Sequence, residues 1–134
     1  MNMDDVLKFK SGEEEDEWGA VDPRLKGLVI TVAIWQYIGW GIPFTITGII
    51  RTPDENEAVG GIIKSAHVMQ PGQIWARAVD CRNQNLSDEQ QCARRKFINE
   101  HWNVKTMPEM FHVIDHDSGA GDHTHINLNY GYMI

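Results

Sequence analysis

His123-Thr-His-Ile-Asn-Leu-Asn-Tyr130 alternates side chains with the period of two that a β-strand requires. His123, His125, Asn127 and Asn129 fall on one face, and Thr124, Ile126, Leu128 and Tyr130 on the other. The second face belongs to a core, which leaves the histidine face for a site. Working outward, Phe111-His-Val-Ile-Asp115 reads as a neighbouring strand, joined to the first through the Gly-rich loop Asp117-Ser-Gly-Ala-Gly121. Ala76-Arg-Ala-Val-Asp80-Cys81 reads as another. Its alternation places Ala76, Ala78 and Asp80 on one face and Val79 and Cys81 on the other, and the small residues beside Asp80 leave room for an ion or a substrate.

The rest of the chain supplies helices and one further strand. Asp22-Pro23 gives an N-cap followed by proline at the first helical position, and Leu25, Leu28, Val29, Val32, Ile34 and Trp35 provide the apolar surface of a helix ending near Gly39. Phe44-Thr-Ile-Thr-Gly-Ile-Ile50 is short, β-branched and bounded by Pro43, so it reads as a buried strand. Thr52-Pro53-Asp54-Glu55 is a capping box opening one or two helical turns that end at Gly60-Gly61. Ser87-Asp-Glu-Gln90 is a second capping box, heading a scaffold helix to about His101. The fold expected is α+β: a small antiparallel sheet carrying the site on one face, with helices packed on the other.

At 134 residues the chain suits a single domain. Of the net charge of −7, residues 1–22 contribute −6 through Asp4, Asp5, Glu13 to Glu17 and Asp22 against two lysines. Residues 1–21 therefore read as a mobile acidic tail, and residues 22–134 as one nearly neutral domain. A neutral body lacks the basic stripe that phosphate-backbone binding needs, which argues against nucleic acid as a partner. Residues 27–50 carry no formal charge, but Gln36, Tyr37 and the Gly39-Trp40-Gly41-Ile42-Pro43 break divide the run into a buried helix and a buried strand rather than a membrane span. Cys81 and Cys92 are too few for a disulfide framework, and free thiols or a single bridge both stay open. The start shows no basic segment followed by an apolar run, so no cleavable export signal is expected.

Two histidines two apart on a strand are a weak sign of metal binding when taken alone. The sign strengthens when His67 and Asp80 are added to His125, because two imidazoles and a carboxylate suit a catalytic zinc with one open position. Asp115-His-Asp117, followed by Ser118, Gly119 and Asp122, also offers alternating oxygens for calcium. It departs from the twelve-residue calcium loop by lacking the terminal glutamate, and a solvated polar turn is the simpler reading.

Arg51-Thr with Asn56 five residues on, Val59-Gly-Gly61, Ser65-Ala-His67, Arg77-Ala-Val-Asp80 and His123-Thr-His125 occur in an order that resembles the hedgehog/DD-peptidase superfamily of zinc peptidases, over roughly residues 22–130. The resemblance implies that His67, Asp80 and His125 are zinc ligands, that Arg51 grips a substrate carboxylate and that Ser65 helps to orient the substrate. His123, or else the shorter Asp122, would be the catalytic base. Two departures stand out: twelve residues rather than six separate His67 from Asp80, and Ala76 replaces a glycine before Arg-Ala-Val-Asp.

The implied activity is metal-assisted hydrolysis of an amide bond in the bacterial peptidoglycan stem peptide, as an endopeptidase or D,D-carboxypeptidase. A phage or prophage endolysin, made in the cytoplasm and acting on the wall after release or from a virion, fits the small size and missing export signal. The alternative is a metal-binding interaction module of the same fold that does not hydrolyse.

Overall fold

A computed structural model describes residues 1–58, 65–103, 109–117 and 122–129. In chain order its elements are α1 (Met3–Val6), β1 (Leu7–Phe9), α2 (Gly12–Glu17), a 3-10 turn (Trp18–Ala20), α3 (Pro23–Trp40), β2 (Phe44–Gly48), α4 (Pro53–Ala58), β3 (Ala78–Arg82), α5 (Asp88–Trp102), β4 (Phe111–Asp117) and β5 (Asp122–Leu128). The strands form one sheet in the order β1-β2-β3-β5-β4. This is α+β, but the sheet is mixed rather than antiparallel, because β1 joins β2 in parallel while the other pairs are antiparallel.

The parallel edge strand overturns the expectation of a loose tail over residues 1–21. Leu7, Lys8 and Phe9 register against Phe44, Thr45 and Ile46, and Val6 is fully buried. Acids dominate this segment's composition, but they fall on the short helices α1 and α2, whereas the few apolar residues fall where they can pack: Phe9 meets Trp18 edge to face, and Lys26 lies over the Trp18 ring. The arm is pinned further by Glu17, whose carboxylate accepts from the Ile50 N–H at 3.2 Å.

α3 starts as its sequence dictates. Asp22 caps it by accepting from the Arg24 N–H at 2.9 Å, Pro23 occupies the first turn, and Gly41 closes it at φ 68°, a left-handed conformation suited to glycine. Leu25, Leu28, Val29 and Val32 enter the core alongside Phe44, Ile46, Val79, Ile98, Ile126 and Leu128. Gln36 is buried with them but donates to the Ile42 and Pro43 carbonyls, which folds the chain back from helix to strand. No helix among the described residues is long and apolar enough to cross a membrane.

α5 carries the capping box of Ser87 and Gln90, with both reciprocal hydrogen bonds formed. Its Phe97 stacks on Trp35 of α3 at 4.4 Å, so the two helices cover the apolar face of the sheet together. β3 begins at Ala78 rather than Ala76, since Ala76 instead bridges Val21 in parallel. Cys81 is buried, Cys92 is exposed, and both are free thiols. The end of the turn at Gly60-Gly61, the Val59-Gly-Gly61 motif, the loop residues 118–121 and Tyr130 lie outside the described residues.

Asp22 supplies a test of this frame. Burial opposes its ionisation, but hydrogen bonds from the Arg24 side chain and backbone outweigh burial and hold its carboxyl below the ordinary value of 3.8. A depressed carboxyl stabilises the fold above its unfolded value and loses that contribution as pH falls through the folded value. Asp22→Ala is expected to lower stability by about 1 kcal/mol at neutral pH. In urea denaturation series the gap to wild type should narrow as the pH is taken below 3.8.

Candidate metal centre

The β3–β5 ladder sets Asp80 directly opposite His125, with Ala78 opposite Asn127 and Arg82 opposite His123. Side chains opposite one another in a ladder share a face, so Asp80, His123 and His125 emerge together on the side away from α3 and α5. On the other side of Asp80, β2 and β3 shift register between Ile46 and Gly48, a bulge of the kind that re-aims neighbouring side chains. Gly48 sits against Asp80 closely enough that an added Cβ would lie 3.5 Å from its Oδ2.

His67 arrives from the connection between α4 and β3. The twelve residues separating it from Asp80 loop out through a turn at Gly72 (φ 81°) and an exposed Ile74-Trp75 tip. Ala76 then docks on the N-terminal arm, donating to the Ala20 carbonyl and accepting from the Asp22 N–H. The long insertion therefore does not displace the histidine. His67 Nε2 stands 2.9 Å from Asp80 Oδ1 and 3.1 Å from His125 Nδ1, and the last two atoms are 3.0 Å apart. His67, Asp80 and His125 are the group among the described residues that could hold a metal ion.

The outer partners decide what these three atoms are. His67 Nδ1 lies 2.8 Å from the Ile49 carbonyl, which can only accept, so Nδ1 carries the proton and Nε2 presents a lone pair. His125 Nε2 lies 2.8 Å from Asn127 Oδ1, and Asn127 is oriented by donating through Nδ2 to Asn129 Oδ1 at 3.2 Å. His125 Nε2 is therefore a donor, and Nδ1 presents its lone pair as well. Burial pushes the His67 pKa down, which favours its neutral form.

Three acceptors thus converge with no proton of their own between them. Adjacent ligands around a tetrahedral zinc with bonds of about 2.0–2.1 Å are about 3.3 Å apart, a few tenths more than observed here. The donor set, its protonation and its outer partners fit a divalent cation.

The remaining sequence-derived residues surround the triad. Arg51 is half-buried, with Nη1 3.3 Å from Asn56 Oδ1 and Nη2 3.6 Å from Asp80 Oδ2. Its N–H donates to the His67 carbonyl. His123 Nε2 lies 3.5 Å from the same Asp80 oxygen, and Asp122 is exposed at the start of β5. Arg51, Asp80, Asp122 and His123 line one groove of about 380 Å³. Ser65 does not line it; its hydroxyl accepts from the His67 N–H at 3.4 Å and so bears on the ligand's backbone instead. Asp115, the first oxygen of the alternative calcium reading, turns to the opposite face, where it pairs with Arg95 and accepts from Thr124 at 2.6 Å. His112 is close to the triad, its ring 6.4 Å from that of His125.

Reasoning from the sequence missed the outer partners, namely the Ile49 carbonyl and Asn127, and missed the arm as a wall of the groove through Lys10, Glu13, Glu14 and Glu17. A signal existed for Asn127, which shares the strand face of His125. None existed for a main-chain carbonyl 18 residues from its histidine. Comparison with protein-family models, with curated proteins and with solved structures finds no match to this chain, so function has to be argued from the site itself.

Zinc added at about a hundredfold over its dissociation constant is expected to raise the thermal midpoint by roughly 5–10 °C, with one equivalent taken up. His67→Ala should abolish the shift. Asn127→Ala, which frees the His125 ring without touching the inner atoms, should weaken binding roughly 10–100-fold. Protons compete for the same lone pairs, so titration calorimetry should show affinity falling on acidification.

Proposed function

We propose that this protein is a zinc-dependent peptidase that hydrolyses an amide bond in the stem peptide of bacterial peptidoglycan. The observation that carries the metal half of this reading is the convergence of three acceptor atoms at His67, Asp80 and His125, the two imidazoles each turned inward by an outer partner. The peptidase half rests on the resemblance of the motif order to the hedgehog/DD-peptidase superfamily, and on what surrounds the triad. Zinc bound there would supply Lewis-acid polarisation of a carbonyl and acidify water towards neutrality.

The chain's own residues would do the rest. Arg51 is held by Asn56 at the groove edge, and its remaining N–H donors can take a substrate carboxylate in a bidentate fork. His123 is the better proton acceptor on geometry. It stands beside Asp80 on the groove wall, whereas the shorter Asp122 is exposed at the strand's start. An imidazole can take a proton from water and pass it on to the leaving amine. The groove, open to solvent and walled by β2, α2 and the start of β5, has the volume for a few residues of peptide. A lysin of phage or prophage origin is the biological setting this activity suits.

The test is release of new amino groups from purified peptidoglycan by the zinc-loaded protein, with and without chelator. Release that the chelator stops supports the peptidase. Zinc uptake with no release from any wall chemotype would leave the metal-binding interaction module as the reading. Within the peptidase reading, His123→Ala should lower kcat by about 10²–10⁴-fold. Arg51→Ala should act chiefly on KM, because its grip on a carboxylate is present before as well as during reaction.

A further inference from the structure

Arg94, in the middle of α5, is fully enclosed. A guanidinium stripped of water is costly unless paired, yet among the described residues no carboxylate meets it directly. Its terminal donors go to neutral oxygens: Nη1 to Gln36 Oε1 at 2.9 Å, and Nη2 to Thr124 Oγ1 at 2.9 Å and to Asn83 Oδ1. Its plane lies over the Phe44 ring at 5.6 Å. Thr124 receives a proton from Arg94 and has one of its own, with two acceptors in reach, Asn83 Oδ1 at 2.7 Å and Asp115 Oδ1 at 2.6 Å, of which the charged carboxylate is the stronger. The charge of Arg94 reaches a carboxylate through that single hydroxyl.

The placement of these partners is informative. Thr124 stands between His123 and His125 on β5 and points to the opposite face, and Asn83 follows β3 three residues after Asp80. One guanidinium therefore grips the backs of both strands whose fronts carry the triad. A hydrophobic residue of similar volume would fill this space as well or better for stability. What it would not supply is direction, since fixed donors specify where Thr124 and Asn83 sit, and a metal site tolerates only about 0.5 Å of ligand displacement.

We propose that Arg94, acting through Thr124, is a positioning residue for the metal centre, setting β5 against β3 so that His125 Nδ1 meets Asp80 Oδ1. This inference rests on the metal-centre reading. Thr124→Val removes the hydroxyl at nearly constant volume, Thr124→Ser keeps it, and Arg94→Met removes the donors. Each variant and the wild type are compared by zinc affinity, in competition with a chromophoric chelator, and by the visible spectrum of the cobalt-substituted form. Both are read at a temperature where circular dichroism shows the protein folded, and thermal midpoints of the zinc-free forms are recorded alongside.

Thr124→Val and Arg94→Met are expected to weaken zinc binding about tenfold or more and to change the cobalt band intensities, with Thr124→Ser within about twofold of wild type. A purely structural role would lower the zinc-free midpoint and leave the affinity of the folded form unchanged. That result, or a Thr124→Ser variant as defective as Thr124→Val, overturns the inference. Should Arg94→Met fail to fold, the two Thr124 variants decide. A wild type that takes up no zinc removes the metal-centre reading and this inference with it, whereas a zinc-binding wild type with unaffected variants removes the inference alone.

Discussion

Asp80 and His125 face each other across the β3–β5 ladder, and most of what is distinctive in this molecule depends on that register. A slip of one residue would turn Asp80 into the core and carry Val79 out to the site face. Several features act against such a slip. Val79 and Ile126 are fully buried on the core side, the Arg94 network holds Thr124 and Asn83 from behind, and the bulge in β2 accommodates Asp80 beside a residue without a side chain. Three inward lone pairs repel one another, so the triad does not itself supply this lock. The scaffold holds the ligands together against their own electrostatics, the condition under which an ion that neutralises them binds to a preformed site.

The N-terminal arm has a larger part than its composition suggests. Its strand completes the sheet beside β2, and α2 forms one wall of the groove next to the triad. Glu17 holds the Ile50 N–H, while the neighbouring Ile49 carbonyl fixes the His67 ring and the Arg51 N–H is tied to the His67 carbonyl. Three consecutive residues thus link the arm, a ligand's tautomer and the cation at the groove edge. Displacing the arm would disturb the site through the backbone, even though no arm residue belongs to the triad.

Much of this architecture was legible in the sequence. Asp22-Pro23, Ser87 to Gln90 and Thr52 to Glu55 fixed their helices through local chemistry, because a cap is satisfied within a few residues of its own helix. Alternation in β5 placed His123, His125 and Asn127 on one face, as the structure does. The failures came where the decisive partner was remote. Leu7-Lys8-Phe9 is too short and too flanked by acids to announce a strand, and it becomes one only against Phe44–Ile46. Arg94 sat inside a scaffold helix of mostly polar residues, with nothing local to mark it as the residue that would be buried. The distance in sequence between His67 and Asp80 proved a poor guide to their distance in space, since a loop lengthened at the surface costs little to close.

Charge ties these parts together. A dication held by one carboxylate and two neutral imidazoles keeps one net positive charge, and Arg51 adds another beside it. The same groove is lined by Glu13, Glu14, Glu17 and Glu55, with Lys10 and Arg82 as partial balance. Without an ion, the groove holds an excess of negative charge that favours cations and disfavours an anionic substrate. With the ion in place the field at the triad changes sign while the glutamates of α2 stay acidic, so the groove presents both signs of charge. A low-dielectric cleft concentrates such a field. Such a field favours a ligand with a carboxylate and a separate polar or cationic group, whereas a uniformly anionic ligand is repelled by the α2 glutamates. On the proposed peptidase reading, the ion would thereby bear on how a peptide is oriented in the groove as well as on the chemistry at its bond.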